Sequence, residues 1–228
     1  MPYHVSKEVP ISIKKQKSRS FWNRCYVKAR YDYKRLARKD WSNLIKRLKR
    51  NEVIKVLDLG CGYGTWSIVM ARAGFKVKAI DISKIAVGNL KKWAAEENLR
   101  IRTQVSSVQK LKTIEKFNAI ICNSVLDHLS LDDAKTAINK IRNMLNHNGL
   151  AYISFDGPSE DEEDKKGFML LDDGTRYYTK GKFKDMLWRY YSDKEIKDLL
   201  RAFKILEFRV AKNGRRYVWI KKKSKLSI

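Results

Sequence analysis

Three glycines at alternate positions follow a short apolar run that contains one acid. The run is residues 56–59, with Asp58 as its acid, and the glycines are Gly60, Gly62 and Gly64. Glycine adopts backbone angles that other residues avoid, and it leaves no side chain in the path of a ligand. The pattern therefore predicts a strand, a turn that presents backbone N–H groups to a bound molecule, and the start of a helix.

The same turn is a poor match to a dinucleotide site. The dinucleotide fingerprint requires a further glycine where this chain has Thr65. Asp58 would also lie where a doubly negative pyrophosphate has to approach, and like charges repel. A cationic ligand fits these residues better. The alternative is an ordinary strand-to-helix turn in which the glycines serve backbone geometry alone.

A second apolar strand ends on another acid, Asp81, seventeen positions after Gly64. An acid about twenty residues beyond the glycines, at the tip of the second strand, is placed to bind the vicinal hydroxyls of a ribose. Ser83 has the position of a helix N-cap. A lone aspartate at a strand end is usually only a cap, but together with the glycine turn it favours ribose binding.

The segment from Val56 to Ser67 resembles the glycine-rich loop of class I S-adenosylmethionine-dependent methyltransferases. The resemblance implies an enzyme whose cofactor is S-adenosylmethionine, with the sulfonium and ammonium groups of the cofactor near Asp58. It also implies cofactor contacts from the residues of the turn, which are Gly60, Cys61, Gly62 and Gly64. Asp81 then becomes the ligand of the cofactor ribose.

Four further cofactor contacts are implied by the same resemblance. Ile82 takes the role of packing on the adenine face, and Asn123 lies at the cofactor end of the fourth strand. Ser107 occupies the place where the family commonly has an aspartate for the adenine amino group. Its hydroxyl accepts a hydrogen bond without the help of a charge, and the Val108 N–H remains for a ring nitrogen.

The methyl acceptor is expected near the carboxyl end of the fourth strand, residues 119–122, because ligands bind at that edge of a doubly wound sheet. We assign His128 to the pocket wall. It could serve as a base or only pack on the next helix, so the catalytic residue is left open. Residues 123–126 lack the prolines and aromatic typical of adenine or glutamine methylation. Cys122 is predicted to be a buried structural thiol.

The fifth strand is expected at residues 150–155. An insertion at about residues 157–191 follows this strand and is predicted to form a lid over the site. Arg176, Tyr178 and Arg189 are candidate acceptor contacts, because guanidinium groups suit a carboxylate or phosphate. The arginines could instead pair with neighbouring acids and hold the lid shut. The acidic run 159–164 has no ligand spacing, so a solvated loop is expected and no metal is predicted.

The net charge of +25 is concentrated at the two ends of the chain. Residues 1–50 carry +13 and residues 204–228 carry +8, which leaves +4 for the central part. Basic segments that alternate with aromatics can bind RNA, whereas aromatics at helical spacing usually pack in a core. The favoured function is methylation of an oxygen or nitrogen of a small molecule. RNA methylation is one alternative, and non-catalytic nucleic-acid binding is another.

The elements that must position these residues alternate between strand and helix. Helices are expected near 65–73, 84–98 and 131–146, and a further helix is expected to begin at Ser192. The pair Asn213-Gly214 predicts the turn of a closing hairpin. The resemblance implies an α/β, doubly wound, Rossmann-like sheet of seven strands, mostly parallel with one antiparallel strand. We divide the chain into a basic N-terminal helical extension, 1–50, and a methyltransferase domain, 51–228, that contains the lid.

The composition also bears on the compartment. No apolar stretch approaches the ~20 residues needed to span a bilayer, and the amino end lacks the layout of a signal peptide. The three cysteines have neither paired nor metal-binding spacing. The sequence therefore predicts a cytoplasmic protein with no disulfide and no membrane partner.

Overall fold

The computed structural model describes residues 11–27, 33–112, 114–158 and 166–223. The acidic run predicted to be a solvated loop lies outside the described residues. Ten strands are β1 (Lys55–Leu59), β2 (Lys76–Asp81), β3 (Ile101–Val105), β4 (Phe117–Asn123), β5 (Leu145–Phe155), β6 (Phe168–Leu170), β7 (Arg176–Tyr178), β8 (Leu187–Trp188), β9 (Phe203–Val210) and β10 (Arg216–Lys222). The helices are α1 (Ile11–Val27), α2 (Tyr33–Leu36), α3 (Ser42–Arg50), α4 (Thr65–Arg72), α5 (Lys84–Glu96), α6 (Leu131–Met144) and α7 (Asp193–Leu199).

Seven strands form one sheet in the order β3-β2-β1-β4-β5-β10-β9. The first five strands pair in parallel, and β10 runs antiparallel to both β5 and β9. The predicted doubly wound sheet with one antiparallel strand is therefore confirmed. Since β1 to β5 are parallel, their carboxyl ends lie on one edge, where ligands bind in such sheets.

Both faces of the sheet are buried, as expected for parallel strands covered by helices. Adjacent residues of β4 show this clearly, because Ile120 packs in a cluster with α6 and α7, whereas Ile121 packs with α3 and α4. On the second face, α5 completes the cover through Leu90 and Trp93. Strand side chains alternate between the two faces, so the continuous apolar runs of the sequence supply two cores.

The predicted helix and hairpin signals are present. The helices expected near 65–73, 84–98 and 131–146 are α4, α5 and α6, each of them slightly shorter than predicted. At the start of α7, Ser192 Oγ accepts a hydrogen bond from the Glu195 N–H, and the Glu195 carboxylate accepts one from the Ser192 N–H. Gly214 has a left-handed backbone in the turn between β9 and β10, as the Asn-Gly pair predicts.

Two features differ from the sequence expectation. Strand β5 begins at Leu145, not at residue 150, and a register shift against β4 accommodates its irregular first half. The insertion contains a separate antiparallel sheet of β6, β7 and β8. These strands have three, three and two residues, which is too short for a period of two to be visible in the sequence.

Helix α1 and the insertion pack on each other. Phe21 of α1 joins a buried cluster with Tyr178, Met186 and Trp188 of the insertion. Arg24 of α1 also donates a hydrogen bond to the Lys184 carbonyl at 2.7 Å. Among the described residues, no helix has the length and apolar character that a membrane crossing needs.

Glycine 88, inside α5, offers a direct test of the helix assignment. A Cβ at Gly88 would meet no atom within 4 Å. Gly88→Ala is therefore expected to raise the free energy of unfolding by about 0.5–1 kcal/mol, because alanine loses less backbone entropy. Urea unfolding measures the change. The control is Gly74→Ala, which also has open space but a φ of +90°. The Gly74→Ala protein should be less stable than the wild type. If both variants were stabilised, the assignment of Gly88 to a helix and of Gly74 to a left-handed turn would be contradicted.

Candidate active site

The glycine turn after β1 has a left-handed backbone at each glycine. The φ angles are +77° at Gly60, +53° at Gly62 and +86° at Gly64. A Cβ at Gly60 would overlap the side chain of Val125, and one at Gly64 would overlap Leu90. Both the backbone angles and the packing therefore require glycine at these positions.

Asp81, at the end of β2, fixes the position of this turn. One carboxylate oxygen accepts the Gly62 N–H at 2.9 Å, and the other accepts the Ser83 N–H at 2.8 Å. Ser83 in turn caps α5 by accepting the Ala86 N–H at 3.2 Å. Burial raises the pKa of Asp81, and the backbone N–H groups oppose that rise. The acid predicted to bind ribose is thus in place beside the turn.

A cavity of about 90 Å³ lies at this edge of the sheet. The predicted cofactor residues that line it are Gly60, Asp81, Ile82, Ser107 and Val108. The loop after β4 adds Val125 and His128 to the wall. Five residues predicted to contact the cofactor therefore meet in one place, although they come from three different loops.

Five other predicted contacts do not line this cavity, and most have protein partners instead. Asp58 is fully buried and accepts a hydrogen bond from Ser67 Oγ at 2.6 Å. Asn123 accepts one from Ser154 Oγ at 2.9 Å. The other three are turn residues, namely Cys61, Gly62 and Gly64. Cofactor contact by these five residues stays a prediction.

Helix α1 covers this cavity of about 90 Å³, which we call the cofactor cavity. The sequence did not predict that α1 lies there. Ser18, Trp22 and Tyr26 of α1 line it. The Tyr26 hydroxyl would lie 2.8 Å from a Cβ at Gly62, so the ring covers the glycine turn. Burial, and then the nearby carboxylate of Asp81, raise the pKa of Tyr26. These aromatics follow the helical spacing noted in the sequence, but that spacing does not say which surface they contact.

A second and larger cavity, of about 530 Å³, adjoins the first. Its wall combines the ends of β5 and the hairpin with the insertion, through His128, Asp156, Gly157, Pro158, Tyr178, Phe183, Met186, Trp188, Asn213 and Arg215. His128 lines both cavities, so it stands where cofactor and acceptor would meet. The Trp22 ring packs edge-on against its imidazole at 4.7 Å.

Arg215 and Asp156 are polar residues of this wall that sequence reasoning missed. The Arg215 guanidinium lies 2.8 Å from the Asp156 carboxylate and donates a hydrogen bond to Ser124 Oγ at 2.6 Å. The hairpin signal beside Arg215 was visible in the sequence. However, the pairing of β10 with β5 that carries Arg215 to this edge is a long-range contact.

The arginines proposed from the insertion lie elsewhere. The Arg176 guanidinium packs on the rings of Phe168 and Trp188, at 4.5 and 5.1 Å from their centres. Arg189 is 7% exposed and forms an ion pair with Glu195 at 2.6 Å. Neither lines the larger cavity, whereas Tyr178 does. The alternative that an arginine holds the insertion closed describes Arg189 better.

The buried thiol expected at Cys122 is present. Its side chain is fully buried in β4, and burial raises its pKa far above the ordinary value for a thiol. A nucleophilic cysteine needs the opposite environment, one that favours the thiolate.

Comparison with known proteins agrees with this geometry. A sequence profile described as a methyltransferase domain matches residues 56–149, which contain the glycine turn, Asp81 and β4. Residues 56–149 therefore form a methyltransferase domain, and the chain as a whole has the fold of the class I S-adenosylmethionine-dependent methyltransferases. S-adenosylmethionine is the methyl donor that this domain and this fold indicate.

Curated relatives match part of the chain. The ubiquinone biosynthesis O-methyltransferase of Pelagibacter ubique is 35% identical over 101 residues, 44% of this chain and 41% of that protein. The protein of the same name from Haemophilus ducreyi is 31% identical over 132 residues, 55% of this chain and 53% of that protein. The chain thus matches about half the length of these relatives, or less.

Solved structures resemble the whole fold. The 1,6-didemethyltoxoflavin-N1-methyltransferase of Burkholderia thailandensis superposes with a TM-score of 0.70 and 20% identity, covering 98% of this chain and 94% of that one. The magnesium protoporphyrin IX methyltransferase of Synechocystis gives a TM-score of 0.61 and 17% identity, covering 96% and 90%. At this identity the likeness concerns the fold.

The buried acid of β1 predicts a pH dependence of stability. Burial raises the pKa of Asp58 to about 7, although the Ser67 hydrogen bond opposes the rise. The unfolded chain has the ordinary, lower pKa, so the folded state holds an extra proton between about pH 4 and pH 7. The contribution of Asp58 to the free energy of unfolding therefore falls as pH rises through that window.

Asp58→Asn removes this dependence. The free energy of unfolding of the variant, relative to the wild type, should rise by up to roughly 1.4 kcal/mol for each pH unit between pH 4 and pH 7, and then stay constant. Urea unfolding of both proteins at pH 5, 6, 7 and 8, without cofactor, gives the difference. A constant difference across this range would show that Asp58 is ionised throughout.

Proposed function

We propose that this protein transfers the methyl group of S-adenosylmethionine to an oxygen or nitrogen of a small aromatic molecule. One observation carries the proposal: a cavity of about 530 Å³ with aromatic walls adjoins the cofactor cavity, and His128 lines both. The volume lies within the range of roughly 300–1,000 Å³ that is usual for small-molecule sites.

In this proposal the cofactor lies along the carboxyl edge of the sheet. Asp81 accepts hydrogen bonds from the ribose with lone pairs that the two backbone N–H groups leave available, since a carboxylate has about four acceptor sites. Ile82, Ser107 and Val108 contact the adenine. The cofactor supplies a methyl group on a positively charged sulfur. The residues of the protein must then hold the acceptor in line with that methyl group.

Admitting a nucleoside requires movement of α1. The first cavity measures about 90 Å³, well below the roughly 300 Å³ at the lower end of ligand sites. Trp22 and Tyr26 contribute to its wall, and both belong to a helix held by side-chain contacts rather than by the sheet. We therefore assign to α1 the role of a cover that moves outward when cofactor binds.

The aromatic class of the acceptor follows from the wall of the larger cavity. Tyr178, Phe183, Met186 and Trp188 present rings and a thioether, which favour a flat apolar molecule. Two of the similar proteins support this class, since one is named for ubiquinone biosynthesis and the other for 1,6-didemethyltoxoflavin. Asp156 and Arg215 supply polar contacts at one end.

Positioning can account for most of the acceleration. Holding two reactants in line contributes about 7–11 kcal/mol in favourable intramolecular systems. The acceptor atom displaces sulfur, and the positive charge of the sulfonium disperses as the methyl group moves. An acceptor that begins as a hydroxyl must also lose a proton, and His128 is a polar group at the junction of the two cavities.

The RNA alternative loses part of its support. It required aromatics of the basic N-terminal segment to stack on bases. Trp22 and Tyr26 instead line the cofactor cavity, and Trp41 packs against Trp66 with ring centres 4.7 Å apart. The remaining argument for RNA is charge alone.

Cofactor binding gives the first test. S-adenosylhomocysteine should bind the wild type in isothermal titration, and Asp81→Asn should weaken binding at least about tenfold, because a charge-assisted hydrogen bond contributes roughly 1.5–3 kcal/mol. Asp172→Asn, which changes an exposed acid of the insertion, is the control. Equal affinity in the Asp81 variant would remove the ribose assignment. Absence of binding by the wild type would favour the non-catalytic alternative.

Acceptor binding gives the second test. Labelled S-adenosylmethionine is incubated with the protein and a cell extract separated into metabolite, RNA and protein fractions, and label should enter the metabolite fraction. For that fraction, Trp188→Ala should lower the rate at limiting acceptor at least about tenfold, since truncating a buried aromatic anchor of a binding site costs roughly 2 kcal/mol or more. S-adenosylhomocysteine affinity should stay unchanged.

The control for this test is Leu170→Ala, which alters a 66% exposed residue of the same small sheet. Its rate should equal that of the wild type. Label found only in RNA, and lost on ribonuclease treatment, would replace the small-molecule proposal with the RNA alternative.

A further inference from the structure

Three side chains with metal-binding atoms meet beside the larger cavity, and two of them, His128 and Asp156, line it. Asp127 and His128 end the short 3₁₀ turn after β4, and Asp156 follows β5. One oxygen from each carboxylate and one ring nitrogen of His128 all lie within 4.8 Å of one another. The sequence did not indicate this group, because Asp156 comes from the next strand of the sheet.

Asp127 supplies the observation that points to a ligand. Its side chain is 1% exposed. One carboxylate oxygen accepts the Asp156 N–H at 3.1 Å, but the other, Oδ1, has no hydrogen-bond partner among the described residues. A buried acceptor left unpaired destabilises the folded state, and more so when it is charged. A cation at Oδ1 would remove that cost.

His128 is oriented as a metal ligand commonly is. Its Nδ1 lies 3.1 Å from the carbonyl oxygen of Leu187. A carbonyl only accepts hydrogen bonds, so Nδ1 carries the proton and Nε2 keeps its lone pair. Histidines that bind metals usually donate their other ring N–H to such an acceptor, which fixes the ring and the tautomer.

Asp156 is held in place by neighbouring groups. Its carboxylate accepts a hydrogen bond from Ser124 Oγ at 3.0 Å and pairs with Arg215 at 2.8 Å. The Arg215 charge balances one of the two carboxylates, so the group keeps a single net negative charge when His128 is neutral. That balance allows the two carboxylates to stay close together before any ion binds.

We propose that Asp127, His128 and Asp156 bind one divalent first-row transition metal ion at the wall of the acceptor cavity. An imidazole combined with two carboxylates suits zinc, manganese, cobalt or iron better than the oxygen-binding calcium and magnesium ions. Three protein ligands leave coordination positions open, and His128 and Asp156 face the cavity. The site takes its support from these contacts alone and does not depend on the proposed methyl transfer.

Cobalt is the probe, because its visible spectrum reports the ligands. Metal-free wild type, without cofactor or acceptor, is dialysed against Co²⁺, and one ion per chain is expected with the spectrum of nitrogen and oxygen ligands. Asp127→Asn and Asp156→Asn should each weaken Co²⁺ binding at least about tenfold, which is the usual scale for losing a supporting group. His128→Gln should do the same.

The matched control is Asp132→Asn, which removes a 94% exposed carboxylate close in sequence. Its Co²⁺ affinity should equal that of the wild type. Urea unfolding of each variant confirms the fold, and if Asp127→Asn does not fold, Asp156→Asn and His128→Gln decide the matter. Titration of the metal-free protein with S-adenosylhomocysteine tests the proposed function separately.

Three results would overturn the metal site. The first is a wild type that retains no stoichiometric Co²⁺. The second is thiolate charge-transfer absorption, which would place the ion on a cysteine. The third is unchanged affinity in the folded Asp156 and His128 variants. A free carboxylate oxygen on Asp127 would then be explained by protonation, since burial raises the pKa of this acid.

Discussion

The carboxylate of Asp81 holds together the two loops from which the cofactor cavity is built. One oxygen binds the N–H of Gly62 in the first loop, and the other binds the N–H of Ser83 in the second. The N–H groups of Gly60 and Cys61 also bind the carbonyl of Ile80, just before this acid. The parallel pairing of β1 with β2 brings these groups into register, so the glycine turn depends on a residue of the next strand.

The cover of the site is one packed unit, although it comes from two distant parts of the chain. Helix α1 and the small sheet share a buried aromatic cluster, and Arg24 reaches across to Asp185 and the Lys184 carbonyl. Trp22, which lines the cofactor cavity, contacts His128, while Trp188 lines the larger cavity. A shift of α1 is therefore transmitted to the wall of the acceptor cavity through direct contacts.

The glycine turn and the position of Asp81 beside it could be predicted from the sequence because their signals are local. Glycine spacing and the acid at the end of β2 lie within about 25 residues, and the backbone geometry they require follows from residue type. The polar residues that line the larger cavity could not be predicted in the same way. Asp156 and Arg215 meet only because β10 pairs with β5. Arg189 forms an ion pair with Glu195, and the sequence allowed this pairing as an alternative to a substrate contact.

The close contact between Gly157 and the turn after β9 has a consequence for how such proteins diverge. A side chain at Gly157 would overlap the backbone of Asn213 and Gly214, so the first residue of the insertion packs directly against the hairpin turn. Four residues of the wall of the larger cavity lie in the insertion that begins at this junction, namely Tyr178, Phe183, Met186 and Trp188. Loops vary more freely than the strands that they connect, so changes in the insertion can reshape this wall while the glycine turn and Asp81, which lie in other loops, keep their contacts.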